Sequence, residues 1–146
     1  LVYKLRPSTH LASGLAAAID QRLRAVEGRS GINYDFQTDK GLSLDPKLEK
    51  AIYAIVVETL NNSIKHARAD QVWVRLDRIG ASIYVEIGDN GIGFDPEKAI
   101  GQSGHYGLVG IRERARLYGG SLTIDSQPSL GSTLKIQLPL KRDLLP

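Results

Sequence analysis

From Lys47 to Ala67 the sequence is apolar in most directions around a helix, because Leu48, Ile52, Tyr53, Ile55, Val56, Val57, Leu60 and Ile64 leave little surface for water. A helix of this kind has to be buried, so the rest of the chain must fold to cover it. Asp45 and Pro46 read as its N-cap and first helical residue, and its pattern ends near Ala67. One narrow polar stripe remains. At about 100° per residue, Glu58, Asn61, Asn62 and Lys65 fall within an arc of roughly 100°. A solvated face accounts for the spacing equally well, but the residue types argue for chemistry. Consecutive asparagines are mediocre helix formers. An acid able to act as a base, an amide oxygen for a hard cation and an ammonium for phosphate are what a Mg-nucleotide site needs.

The flanking pattern limits what can cover this helix. Leu11, Leu15, Ala18, Ile19, Leu23 and Val26 recur at helical spacing before Gly28, which is placed to stop that helix, and a short strand is expected over 32–38. Residues 71–79 and 82–88 alternate apolar and polar positions and join through Gly80; Val72, Val74 and Leu76 share one face, as do Ile83, Val85 and Ile87. Periodicity vanishes from Asp89 to Tyr106, where glycine is abundant; such long irregular segments are usually functional. A helix over 107–118, closed by Gly119 and Gly120, precedes strands over 121–126 and 132–138. This order favours an α+β sandwich over a doubly wound parallel sheet.

At 146 residues the chain is sized for one domain. Its 42% hydrophobic and 24% charged residues are the balance of a soluble globular protein, and no apolar run approaches the roughly 20 residues of a membrane span. The opening LVYKLRPSTH lacks the basic start, apolar middle and cleavage site of a secretory signal. The absence of cysteine excludes disulfide and thiolate chemistry and favours the cytoplasm. The chain contains no Met, so a fragment of something longer is expected. The net charge of +3 is spread thinly from Lys4 to Arg142, without the basic stripe or stacking platform of a nucleic-acid binder. An anionic small ligand satisfies the same bias.

Two glycine-rich segments carry further chemistry. GDNGIGF follows a strand, and its residue types are those of a turn. A carboxylate at a strand end, here Asp89, can also accept from the exocyclic amine of adenine and repel the carbonyl of guanine. GHYGLVGIRERA places glycines where a helix begins, and helix N-termini offer free N–H groups to phosphate. No segment matches the P-loop or the Rossmann fingerprint.

ETLNNSIKHA, GDNGIGF, GHYGLVGIRERA and GSTLKIQLPL, in this order over 44–140, resemble the ATP-binding domain of sensor histidine kinases, within the wider family of gyrase, the Hsp90 chaperones, MutL and histidine kinases. The GHYGLVGIRERA form and the upstream LRP are similar to the subgroup that includes nitrate and membrane-fluidity sensor kinases. The resemblance implies a two-layer α/β sandwich of the Bergerat type, a mixed sheet on about three helices with an ATP lid. It implies Asn62 as a Mg²⁺ ligand, Glu58 as the residue that positions or activates the accepting group, and Lys65 and His66 facing the phosphates. Asp89 would read the adenine amine, with Gly91 and Gly93 letting the lid turn close to the nucleotide. Gly107, Leu108 and Gly110 would stand at the phosphate end of the lid, with His105 and Arg112 as weaker candidates. The family's adenine-contacting threonine corresponds to Ser132, with Thr133 next door as the alternative.

The phenylalanine-containing lid box of many histidine kinases has no counterpart in 95–104, as in the shorter-lid subgroup. The acceptor histidine is also missing, because His10, His66 and His105 are not followed by an acidic residue. The chain therefore reads as residues 1–9 of linker and 10–146 of catalytic domain, without its dimerisation helices. The partners implied are the phosphoacceptor domain of the same kinase, a response regulator of the DNA-binding kind and a second kinase subunit. Neither nucleic acid nor membrane is expected to touch this domain directly, although the full-length kinase could be membrane-anchored. The rival readings are an ATP hydrolase or protein serine kinase of the same fold, and a regulatory module that binds nucleotide without chemistry.

Overall fold

The computed structural model describes residues 14–39, 42–64, 68–92, 106–126 and 129–140. Lys65, His66, Gly93, His105 and the linker expected over 1–9 lie outside them, as does the His10–Ser13 start expected for the catalytic domain. Helix α1 (Leu15–Ser30) precedes strand β1 (Asn33–Thr38), helix α2 (Pro46–Asn62) and strands β2 (Gln71–Ile79) and β3 (Ser82–Asp89). Helix α3 (Tyr106–Leu117) and strands β4 (Ser121–Ser126) and β5 (Ser132–Pro139) follow. The five strands run in the order β1-β2-β3-β5-β4; β1 is parallel to β2 and every other pairing is antiparallel. Among the described residues the fold is thus the expected α+β arrangement, a mixed sheet with three helices.

Helix α2 begins as expected. The Asp45 side chain accepts from the Lys47 N–H at 2.8 Å, with Pro46 at the first position, whose missing donor costs nothing there. The helix packs against α1, α3 and β3, and Leu48, Ile52, Ile55, Val56 and Leu60 are buried. Beneath it Phe36, Val72, Val74, Leu76, Ile83, Val85, Ile87, Leu134, Ile136 and Leu138 form one continuous core. Each such side chain stabilises the fold by about 1.5–3 kcal/mol. The alternate residues of the strands face away from this core, where Arg75, Glu86 and Lys135 stand opposite one another across β2, β3 and β5.

Helix α1 corrects one expectation. It runs through Gly28 and stops at Gly31, which has φ 71° and donates its N–H to the Glu27 carbonyl at 2.9 Å. Either glycine could end a helix; the one that takes the left-handed conformation does. On α1 the buried Asp20 pairs with Arg24 at 2.9 Å, and burial, then the Asp20 charge, pushes the ionisation of the Tyr34 hydroxyl up. Helix α3 closes as expected, with Gly119 donating to the Arg116 carbonyl at 2.9 Å and Gly120 to that of Ala115 at 2.8 Å, the paired bonds of a Schellman motif.

Candidate functional site

Strand alternation that points Ile83, Val85 and Ile87 into the core points Asp89, the last residue of β3, the same way, toward α2. A carboxylate left there without partners would be costly. Asp89 is only 4% exposed, and three donors meet it. Its Oδ2 accepts from Ser63 Oγ at 2.7 Å and from Ser132 Oγ at 3.1 Å, and its Oδ1 accepts from the Gly91 N–H at 2.8 Å. A carboxylate offers about four acceptor positions, so one is left, on Oδ1.

The neighbouring Asn90 has a different job. Its Oδ1 accepts from the N–H groups of Asp70 and Gln71 at 3.1 and 3.0 Å, and its own N–H donates to the Gln71 carbonyl at 3.2 Å. These bonds strap the end of β3 to the start of β2 and hold the turn that presents Asp89. Across the sheet, Asp89 faces Ser132 in register. Gly131, with φ 78°, lies so close that a Cβ on it would collide with the Asp89 carbonyl oxygen. The site is therefore built where the ends of β3 and β5 meet the end of α2.

The anticipated residues divide. Asp89, Gly91 and Ser132 come together with Ser63, which the sequence pattern did not single out. Ser132 and Thr133 are separated by strand alternation. Ser132 shares the face of Asp89, whereas Thr133 pairs with Gly88 on the open face, where the Trp73 indole lies over Gly88. Glu58 is exposed and Asn62 half-buried, one helical turn apart on α2. Asn61, the fourth member of the stripe, accepts from Arg22 Nη2 at 3.0 Å and ties α2 to α1. Gly107, Leu108, Gly110 and Arg112 lie on the first turns of α3. The Leu108 side chain is 3% exposed and belongs to the core, whereas Gly110 has open space where a side chain would stand.

Residues 47–142 match the family model described as histidine kinase-, DNA gyrase B-, and HSP90-like ATPase. The chain belongs to this family. A sensor-like histidine kinase of Chloroflexus aurantiacus is 36% identical over 148 residues, covering 97% of this chain and 25% of that protein. The oxygen sensor histidine kinase NreB of Staphylococcus carnosus is 34% identical over 144 residues, covering 96% of this chain and 40% of that protein. The chain thus spans well under half the length of these curated relatives. The fold is that of the blue-light activated histidine kinase of Erythrobacter litoralis, with a TM-score of 0.71 at 21% identity over 86% of this chain and 40% of that one. In this family the 47–142 stretch is the ATP-binding catalytic domain of the sensor histidine kinase type. Among the described residues no helix is long and apolar enough to cross a membrane.

Proposed function

We propose that this domain transfers the γ-phosphoryl group of ATP to a histidine on a separate dimerisation domain of the same kinase. The observation that carries the reading is the buried Asp89 carboxylate, which three donors orient and which keeps one acceptor position on Oδ1. That position suits the exocyclic amine of adenine and repels the carbonyl of guanine. A bond forms between the γ-phosphorus and an imidazole nitrogen, the bond to the β–γ bridging oxygen breaks, and ADP leaves. Such transfers are driven by positioning and charge neutralisation.

Asn62 is the proposed Mg²⁺ ligand. In nucleotide sites Mg²⁺ typically takes one or two protein oxygens and fills its shell with phosphate oxygens and water, and the half-buried amide of Asn62 is a donor of that kind. Glu58, one turn earlier and exposed, is proposed to receive the acceptor imidazole. Lys65, His66 and His105 complete the phosphate side in this reading, with Gly93 at the turn of the lid and Gly107, Leu108, Gly110 and Arg112 at the lid's phosphate end on α3. Thr133 points away and is assigned no contact. The whole protein is proposed to be a homodimer acting in the cytoplasm on a response regulator.

Two variants test these roles. Asn62→Ala is expected to reduce the Mg²⁺-dependent gain in ATP affinity to within about twofold of none, measured by calorimetry with and without the metal; a retained gain counts against the ligand role. Glu58→Ala is expected to spare ATP affinity while slowing autophosphorylation of the full-length kinase by about 10²–10⁴-fold. Normal phosphate incorporation by that variant would refute the assignment.

A further inference from the structure

Ser63 stands at the end of α2 with helical backbone angles, and its N–H reaches the carbonyls of Leu60 and Thr59. The residue is 4% exposed, so its hydroxyl needs a partner. The cheapest one is the carbonyl four residues back, and Thr59, one turn earlier, does just this, donating to the Ile55 carbonyl at 2.7 Å. Ser63 instead donates out of the helix to Asp89 Oδ2, at 2.7 Å against 3.1 Å for Ser132 on the same oxygen. A hydroxyl has one proton to give, so Ser63 is committed to Asp89.

Two hydroxyls saturate Oδ2, and the open acceptor position of the carboxylate is thereby confined to Oδ1, which the Gly91 N–H also holds. Ser63 adjoins Asn62 in the chain, so the same turn of α2 that presents the amide oxygen for the metal also sets the carboxylate. We infer that Ser63 is a positioning residue for base recognition, fixing the Asp89 rotamer so that one acceptor faces the amine of a 6-aminopurine nucleotide. The inference rests on the proposed role of Asp89.

The test compares two ligands on the 146-residue chain: ATP, and purine riboside triphosphate, which carries hydrogen in place of the 6-amine. Calorimetry on Ser63→Ala is expected to show ATP affinity lowered about tenfold, the size of one lost hydrogen bond, with affinity for the desamino nucleotide unchanged. Equal losses on both ligands would make Ser63 merely structural, and no loss on either would make it irrelevant; both overturn the inference. Should Ser63→Ala not fold, Ser63→Cys keeps the shape with a weaker donor and is expected to show a smaller loss, again confined to ATP. A wild-type protein that binds the two nucleotides equally well overturns the Asp89 reading itself, and this inference with it.

Discussion

Asp89→Asn is expected to lower ATP affinity by about a hundredfold, the worth of one charge-assisted hydrogen bond plus an unmatched donor. The substitution conserves shape, so the effect follows from hydrogen-bond polarity. If the amide oxygen takes the place of Oδ2, it keeps the two serine hydroxyls. The amide nitrogen then faces the Gly91 N–H and the adenine amine, donor against donor. If the amide is turned round, both hydroxyls must reverse to accept, and the adenine amine meets a neutral oxygen in place of a charged one. Either arrangement weakens ATP. The first turns a donor toward the position that repelled the guanine carbonyl, so the preference for ATP over GTP should narrow as well. Calorimetry with both nucleotides checks this, with thermal unfolding to show that the variant is folded. Unchanged ATP affinity would remove Asp89 from base recognition.

How much of this site could be read from the sequence depended on how local each relation is. Helix α2 was legible because one periodicity runs through it and Asp45-Pro46 marks its start within two residues. The hairpin of β2 and β3 was legible because alternation and Gly80 are local too. Gly28 and Gly31 look alike in sequence, and only the backbone conformation tells which one ends α1. Ser63 escaped because it lies about 100° from Asn62 around the helix, off the polar stripe, and its partner is 26 residues further along the chain. That Ser132, and not Thr133, shares the face of Asp89 needed the register of β5 on β3, which no local pattern carries. Asn61 lies on the same polar stripe as Glu58 and Asn62 and binds Arg22 of α1; a polar stripe on a buried helix can include groups that tie helices together as well as groups that meet a ligand.

Gly131→Ala is expected to destabilise the fold by about 3 kcal/mol or more, and Gly80→Ala by about 1 kcal/mol, although both glycines have positive φ, 78° and 61°. The left-handed conformation alone costs an alanine about 1–2 kcal/mol, and Gly80, with nothing within 4 Å of an added Cβ, carries only that cost. At Gly131 the added methyl would overlap the Asp89 carbonyl oxygen and crowd the Asn90 Cα. Both are backbone atoms that cannot swing aside, so the pairing of Asp89 with Ser132 must open. Opening it also separates Ser132 from the carboxylate it helps to hold, and Gly131→Ala should therefore weaken ATP binding where Gly80→Ala leaves it alone. Urea unfolding and calorimetry on the two variants measure both effects. Equal, small losses of stability would mean that β3 and β5 do not approach this closely beside Asp89, and the tight strand-end geometry behind the proposed base-recognition site would fall with them.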